Sequence, residues 1–486
     1  MADVVVGDRL FGVGEPDEEP PVVRVSAGAG KTFRVYDQGQ SFLLPPSLDD
    51  WLPADHTARF ISEIVDESLD LTSIYASYLN ATGAPPFDPR MMLKLLLYAY
   101  STGVTSSREV ERRCHVDLAF RWLSANTAPD YRSLARFRRR HLDALNDLFV
   151  QVLVLCATAG LVKLGRVALD GTKLRASASR HKAMSYDRLT GRIPQVEAEV
   201  AAMLAEAEAV DAAEDDEFGA DRRGDELPAE LATRQGRLAK MRAAKAALEA
   251  DAAERAAADA EAKARQQGKS DDEVGTAVEL AKSQAVVKPK AQRSFTDPDA
   301  RMMKTNHGFH YAYNAQAVAD DNSQVVVATH VTQHPTDVNQ LLPMLDACRR
   351  SLADAGIDTR PNVVLADAGY CSTTNIDTAT VNGDNVLIAT GRLKHHEQIP
   401  DAPRGRIPNH LTSRQRMARR LRTKPGRTAY ARRKAIIEPV FGQMKVKQNA
   451  GHLRLRGIDG AQGEFTLHAI CHNLRKLANH TPPATC

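Results

Sequence analysis

Two short apolar runs that each end in an aspartate constrain the fold of this chain more than any other feature. They are the segments RVALD over residues 166–170 and NVVLAD over residues 362–367. Such runs are typical of buried strands. A carboxylate at the end of a buried strand is costly unless a nearby group compensates its lost hydration. The two runs therefore predict adjacent strands that present Asp170 and Asp367 on the same side.

A third acidic residue, Glu438, lies downstream in a segment with helical character. Pro439 suits the first position of a helix, so a helix could begin at Glu438; alternatively, a helix runs through from Tyr430 and kinks at the proline. Lys445 follows Glu438 by seven residues, about two helical turns, and shares its face. Taken alone, the pair is more typical of an exposed Glu and Lys on an amphipathic helix.

Three convergent carboxylates have a specific chemical use. Two Mg²⁺ ions roughly 3.5 to 4 Å apart can activate the attacking oxygen and stabilise the leaving oxygen of a phosphodiester. Mg²⁺ prefers a few carboxylates, completed by water and substrate phosphate oxygens. Asp170, Asp367 and Glu438 are therefore the expected catalytic residues and the expected ligands of two Mg²⁺ ions, with Mn²⁺ as the alternative.

Basic residues are concentrated in one segment, although the formal net charge of the chain is only +3. Residues 402–437 contain twelve Lys or Arg and no Asp or Glu. Such a run beside a carboxylate site favours a polyanion, most plausibly nucleic acid, over an ordinary solvated basic face. The DNA contacts expected in and after this segment are Arg416, Arg419, Arg420, Arg422, Arg433, Lys434 and Lys445.

Residues 37–160 are predicted to form an N-terminal all-helical domain. Helix-start signals occur at Asp55, Pro89 and Ser106, and a basic helix opens at Ser133. Short helices with basic faces suit a helix-turn-helix arrangement with one helix in the major groove; the alternative is a helical domain without nucleic-acid contact. The DNA contacts expected here are Arg136, Arg138 and Arg139.

From Leu161 the pattern changes to strands, with a hairpin predicted over residues 310–331 and a helix over residues 335–355. A further strand is expected over residues 385–389. The predicted fold class is therefore α+β, a mixed sheet flanked by helices. Its segments are residues 161–186 and 294–480.

A long insertion, residues 187–293, separates these two segments. Ala, Glu, Lys, Arg and Leu dominate it, and these are strong helix formers. It predicts an antiparallel helical hairpin that either clamps DNA or a second subunit, or is only a solvated spacer.

The remaining features argue against other classes of protein. The six cysteines are scattered and form no CxxC pair, which argues against a structural zinc site or a disulfide framework and fits a reducing cytoplasm. No apolar stretch approaches the roughly 20 residues needed to cross a bilayer, so no membrane partner is expected. Residues 1–36 predict a mobile arm, and its segment SAGAGKT matches only part of a phosphate-binding loop.

Several segments, taken in order, resemble the bacterial DDE transposases of insertion-sequence group 1182. They are YDQGQSFLLPPSLDDWL (36–52), VALDGTK (167–173), the Met303-to-Gln316 hairpin pattern, LADAGY (365–370) and the pattern from Arg433 through Glu438-Pro-Val-Phe-Gly442 to Lys445. The related pattern Y-x2-R-x3-E-x6-K fits Glu438 and Lys445, but Tyr430 and Arg433 each stand one residue early.

The resemblance implies a ribonuclease-H-like catalytic domain that uses two divalent metal ions, with Asp170, Asp367 and Glu438 as ligands. It implies cleavage at the ends of an insertion sequence and strand transfer into target DNA. The expected partners are double-stranded terminal inverted repeats, target DNA and further copies of the chain in a homodimer or larger assembly. We expect a cytoplasmic, nucleoid-associated protein. The alternatives are an inactive transposase-derived DNA-binding protein and a stand-alone ribonuclease-H-like nuclease.

Overall fold

The computed structural model describes residues 47–78, 85–179, 182–218, 229–305, 308–391, 402–408 and 410–480. The predicted N-terminal arm lies outside these ranges. The chain consists of two compact units, residues 1–51 and residues 52–486. In the first unit, the described part consists of residues 47–51 and includes the short helix α1 (Leu48–Trp51).

The second unit begins with helices, as the sequence predicts. They are α2 (Thr57–Glu63), α3 (Thr72–Ala76), α4 (Pro89–Ser101), α5 (Ser107–Val116), α6 (Leu118–Leu123), α7 (Tyr131–Arg140) and α8 (Leu142–Thr158). Asp88 caps α4 by accepting the Arg90 N–H, and Pro89 occupies its first turn. The cap of α2 is His56 and not the expected Asp55, because the Ala58 N–H donates to the His56 ring.

The predicted insertion consists of three helices. They are α9 (Tyr186–Phe218), α10 (Ala229–Gln266) and α11 (Asp271–Ser283). A small apolar core of its own holds α9 against α10, with Leu189, Met241 and Leu248 among its buried members. Outside the helices, a two-stranded antiparallel ladder pairs β2 (Ala183–Ser185) with β3 (Gln292–Ser294).

One six-stranded mixed sheet lies at the centre of the second unit. Its strands are β1 (Val167–Arg175), β4 (Arg301–Thr305), β5 (Gly308–Asp320), β6 (Val326–Thr332), β7 (Val364–Ala366) and β8 (Val386–Ile388). The order is β4-β5-β1-β7-β8, and β6 also pairs with β5. The predicted hairpin is therefore present as β5 and β6, while β1 is antiparallel to β5 and parallel to β7.

Six further α-helices lie in the described residues of this unit. They are α12 (Leu341–Asp354), α13 (Thr373–Val381), α14 (Ser413–Arg422), α15 (Lys424–Ala431), α16 (Arg433–Lys447) and α17 (Ile458–Ala478). The N-terminal helices, the sheet and α17 share one hydrophobic core. The mixture of helices with a mixed sheet confirms the predicted α+β class, while the proposed domain boundaries stay a prediction.

Within the described residues, no single helix is long and apolar enough to cross a membrane. In this part of the chain, α7 and α8 are long and apolar enough only when taken together, and they are bent by 72° where they meet. Its apolar residues Leu148, Val152 and Leu153 are buried in the shared core.

Helix α17 contributes two buried histidines that make the fold sensitive to acid. Burial lowers the pKa of His468 to about 3, and the Arg138 charge acts in the same direction. Burial also lowers the pKa of His472 to about 4, although its ring contacts the Gln324 carbonyl at 2.9 Å. Since both pKa values lie below the usual 6.5, the unfolded state binds protons more readily than the folded state.

We expect the two histidines to leave the free energy of unfolding unchanged above about pH 6.5. We expect that free energy to fall as the pH drops from about 6.5 toward 4. In that window, each histidine lowers the free energy of unfolding by up to roughly 1.4 kcal/mol for each pH unit of acidification. Urea unfolding at several pH values should therefore show a shallower pH dependence for His468→Gln/His472→Gln. The exposed His115→Gln variant is the control, and an equal slope in the double variant and wild type would contradict this assignment.

Candidate active site

Strands β1 and β7 bring two of the three predicted acids side by side. Val167 lies opposite Val364 and Ala168 opposite Leu365 in this parallel pair. The same offset continued along the chain aligns Asp170 with Asp367. Burial raises the pKa of Asp170, and the nearby Asp367 charge raises it further, which identifies the two carboxylates as electrostatic neighbours.

Short contacts hold both carboxylates in place. The Gly171 N–H donates to Asp170 Oδ1 at 2.8 Å, and the Gly369 N–H donates to Asp367 Oδ1 at 2.8 Å. Arg433 Nη1 lies 2.9 Å from Asp170 Oδ2, and its side chain is only 10 % exposed. Arg433 lowers the pKa of Asp170 and so opposes the effect of burial. The arginine is therefore the counter-ion of a desolvated aspartate.

Helix α16 carries the third predicted acid across β1. It begins at Arg433 and continues through Pro439, so the helix does not start at Glu438. Arg433 contacts Asp170 near its beginning, and Lys445 Nζ donates to Thr172 Oγ1 near its end. Glu438 lies between these two contacts and is exposed.

The structure does not join Glu438 to the aspartate pair. Among the described residues, its carboxylate makes no hydrogen bond or ion pair, and no three His, Cys, Asp or Glu side chains form a ready metal site. Arg433, one residue earlier than the family pattern places its arginine, is the residue that reaches Asp170, whereas Lys434 is exposed.

Asp337 is a further acid at this site, and the sequence analysis missed it. Its Oδ1 accepts hydrogen bonds from Asn314 Nδ2 at 2.7 Å and Gln316 Nε2 at 2.8 Å, and it pairs with Lys173 Nζ at 3.3 Å. Burial lowers the pKa of Lys173, but Asp337 raises it and so favours the charged amine. Asp337 thereby links the two antiparallel strands β1 and β5.

Asp337 also lies close to Asp367. A Cβ built on Gly369 would be 3.0 Å from Asp367 Oδ1 and 3.6 Å from Asp337 Oδ2. The buried Tyr370 hydroxyl donates to Gln316 Oε1 in the same cluster. Burial raises the pKa of Tyr370, and the charges of Asp337, Asp170 and Asp367 raise it further, so this hydroxyl remains a donor at neutral pH.

Besides Arg433, Lys445 and Arg138, the predicted DNA contacts fall into two groups. Arg136, Arg139, Arg416, Arg422 and Lys434 are exposed. Arg419 and Arg420 are partly buried and donate to backbone carbonyls, Arg419 Nη2 to Arg404 at 2.7 Å and Arg420 Nη1 to Val386 at 3.3 Å. These last two arginines therefore also fix the local backbone.

Arg138 belongs to the interior. It is 7 % exposed, and its guanidinium donates to the Tyr100 hydroxyl and to the Thr105 carbonyl at 3.1 Å. Tyr100 in turn donates to the buried Glu464 of α17 at 2.8 Å. Burial in this network leaves Arg138 little surface for a phosphate backbone, so its role is to stabilise the packing of the helices.

Comparison with known families returns two matches. Residues 46–140 match the family described as Transposase domain (DUF772), and residues 275–474 match the family described as Transposase DDE domain. The second match includes Asp337, Asp367 and Glu438, whereas Asp170 precedes it. Searches of curated proteins and of solved structures found no match.

Proposed function

From the premise that these two matches indicate a transposase of the DDE family, we propose that the chain cleaves DNA at the ends of an insertion sequence and joins the freed ends to target DNA. The parallel register of β1 with β7, together with the electrostatic interaction between Asp170 and Asp367, is the observation that supports this proposal. We further propose that the sheet and its helices form a ribonuclease-H-like catalytic domain of the group 1182 type.

The donor set fits a hard divalent cation. A bound cation would stabilise two adjacent carboxylates, one of which is desolvated. Mg²⁺ accepts one or two carboxylates together with phosphate oxygens. Asp170 and Asp367 would hold the metal, and Glu438 is the proposed third ligand because α16 contacts β1 on either side of it. When bound, such ions would activate the attacking oxygen and stabilise charge on the phosphate.

The residues of the chain itself prepare this site. Arg433 favours the ionised form of Asp170 and orients its carboxylate, while Asp337 holds Lys173 beside the two aspartates. Lys445 and Lys173 supply positive charge where the phosphodiester would lie. The assembly is proposed to be a dimer or larger on DNA, because two DNA ends must be joined.

DNA flanking the gene supplies the test of this function. End-labelled duplexes from each border are incubated with the full chain and Mg²⁺, and the products are resolved on a denaturing gel. Transposition predicts a 3′-hydroxyl end that becomes joined to a target plasmid. Cleavage without joining would indicate a stand-alone nuclease. Binding without cleavage in Mg²⁺ or Mn²⁺ would indicate an inactive DNA-binding protein, and either result would overturn the proposal.

Exposed arginines on α14 give a separate prediction about DNA binding. We expect Arg416→Ala/Arg422→Ala to reduce the slope of log affinity against log salt by about 0.9 for each lost phosphate contact. Fluorescence anisotropy with a labelled duplex measures this slope. The matched control is Arg265→Ala/Lys282→Ala, which removes two exposed cations that are paired with acids on the insertion. Equal slopes for the two double variants would place the phosphate contacts elsewhere.

A further inference from the structure

The turn between β5 and β6 contacts the start of α16. It spans residues 320–325, and we call it the β5–β6 turn. The Asp320 N–H donates to the Val325 carbonyl at 2.9 Å, and the buried Asp320 carboxylate accepts the Leu164 N–H at 2.7 Å. Gln324 has a φ of +61°, in the left-handed region that non-glycine residues rarely adopt. The β5–β6 turn is therefore fixed by hydrogen bonds within the turn and to the segment before β1.

Asp321 in this turn joins α16 to the beginning of β1. Its carboxylate contacts Arg432 Nη2 at 2.7 Å and Arg166 Nε at 2.7 Å, and only 10 % of its side chain is exposed. Arg432 directly precedes α16, and Arg166 directly precedes β1. Burial raises the pKa of Asp321, but the hydrogen bonds from the two arginines outweigh burial and lower it overall. The charged carboxylate thus links the ends of the two elements that carry Arg433 and Asp170.

Pro439 leaves a carbonyl of α16 without its usual partner. In an α-helix, each carbonyl accepts a hydrogen bond from the N–H of the residue four positions later. The donor expected for the Ala435 carbonyl is residue 439, but Pro439 lies inside α16 and has no N–H. Gln324 Nε2 donates to the Ala435 carbonyl at 2.9 Å. The side chain of the turn therefore supplies a hydrogen bond in place of the one that the proline removes.

Contacts with α17 orient the Gln324 amide for this role. Lys476 Nζ donates to Gln324 Oε1 at 2.8 Å, which leaves the Nε2 group to donate to α16. The ring of His472 contacts the Gln324 carbonyl at 2.9 Å. Because α17 and the turn already hold this side chain, less conformational entropy is lost when it contacts α16.

These contacts act on the part of α16 that serves the aspartate pair. Ala435 lies between Arg433, which reaches Asp170 at 2.9 Å, and Glu438, the proposed third metal ligand. A proline inside a helix favours a kink, because its ring meets the carbonyl four residues earlier. A donor fixed at that carbonyl limits how the helix bends there. Misplacement of reacting groups by about 1 Å is enough to slow catalysis by about 100-fold.

We propose that Gln324 is a positioning residue of the active site. It supplies the hydrogen bond that Pro439 removes from the Ala435 carbonyl, and so sets the direction in which α16 presents Arg433 and Glu438 to the aspartate pair. This inference rests on the proposed function and adds a residue that acts through α16 and not on the substrate.

Single-turnover cleavage of a border duplex tests the positioning role, at a temperature at which circular dichroism shows every variant to be folded. We expect Gln324→Ala to cleave about 10-fold more slowly at saturating DNA and Mg²⁺. It should also need more Mg²⁺ for its half-maximal rate, because the surroundings of Asp170 change. Gln324→Glu should behave alike, since it keeps an oxygen for Lys476 but cannot donate to α16. Affinity for the duplex in EDTA should match wild type.

Gln151→Ala is the matched control. Gln151 Nε2 also donates to a backbone carbonyl, that of Asp70 at 3.2 Å, but among the N-terminal helices. Cleavage by both Gln324 variants at the rate of this control would overturn the inference and leave the proposed function intact. Slower cleavage at the wild-type Mg²⁺ requirement would also overturn it, because the aspartate pair would then be undisturbed.

A double-mutant cycle with Pro439→Ala tests the hydrogen bond itself and needs neither DNA nor metal. Pro439→Ala restores a backbone N–H that can donate to the Ala435 carbonyl. We therefore expect Gln324→Ala to lower the midpoint of urea unfolding less in Pro439→Ala than in the wild-type chain. Equal decreases would overturn the inference. Failure of the wild-type chain to cleave any border duplex would instead overturn the proposed function and the positioning role with it, while the cycle would still decide the hydrogen bond.

Discussion

Asp170→Asn should lower the rate of DNA end cleavage by about 10³-fold, which corresponds to roughly 4 kcal/mol of transition-state stabilisation. Asparagine keeps the size of the side chain and an oxygen for the Gly171 N–H, but it removes the charge that faces Asp367 and Arg433. Single-turnover cleavage in Mg²⁺ measures the effect. DNA affinity in EDTA should change little, because the exposed arginines that we propose as phosphate contacts are retained.

A second readout separates metal binding from activity. Mg²⁺ should raise the thermal unfolding temperature of the wild-type chain, and this increase should be smaller in Asp170→Asn. The control is Asp384→Asn, whose carboxylate also pairs with an arginine, Arg349, at 2.7 Å, but away from the aspartate pair. Cleavage by Asp170→Asn at the rate of the control would exclude Asp170 from the reaction.

Gly171→Ala should damage both the fold and the site. A Cβ at this position would lie 2.2 Å from Gln316 Nε2, 2.9 Å from Asp337 Oδ1 and 3.0 Å from Asn314 Oδ1. Gln316 and Asn314 are fully buried and bonded to Asp337, so they cannot move without breaking this network. Overpacking of this kind costs about 1 to 3 kcal/mol of unfolding free energy.

Urea denaturation measures that loss, and Gly165→Ala provides the comparison. Gly165 precedes β1 by two residues, and nothing lies within 4 Å of a Cβ added there. We expect Gly165→Ala to match wild type in stability and cleavage. Similar behaviour of the two variants would mean that the Asp337 network does not constrain the site.

Local patterns were sufficient to predict the positions of the central strands. Apolar runs located β1 and β7, and strand and turn signals located the β5–β6 hairpin. They did not predict that β1 extends to Arg175. Its second half, from Gly171 onward, is largely polar, and it is a strand because nine consecutive residues pair with β5.

Two features of the structure depend on tertiary contacts that a single sequence does not reveal. Asp337 lies five residues beyond the end of β6, not directly at a strand end, and its partners Lys173 and Asn314 come from two other strands. Arg138 belongs to a basic run whose neighbours are exposed, yet packing against Tyr100 buries it. Residue type alone does not distinguish a buried arginine from a surface arginine.

The β2–β3 ladder has an evolutionary consequence. Ala183 pairs with Ser294, so the chain leaves the sheet region and returns to it at neighbouring positions, with 110 residues between them. A segment whose two ends meet can be lengthened, shortened or exchanged by recombination with little strain on its host. Because this segment also carries a separate apolar core, selection can reshape it while the strands that hold Asp170 and Asp367 stay unchanged.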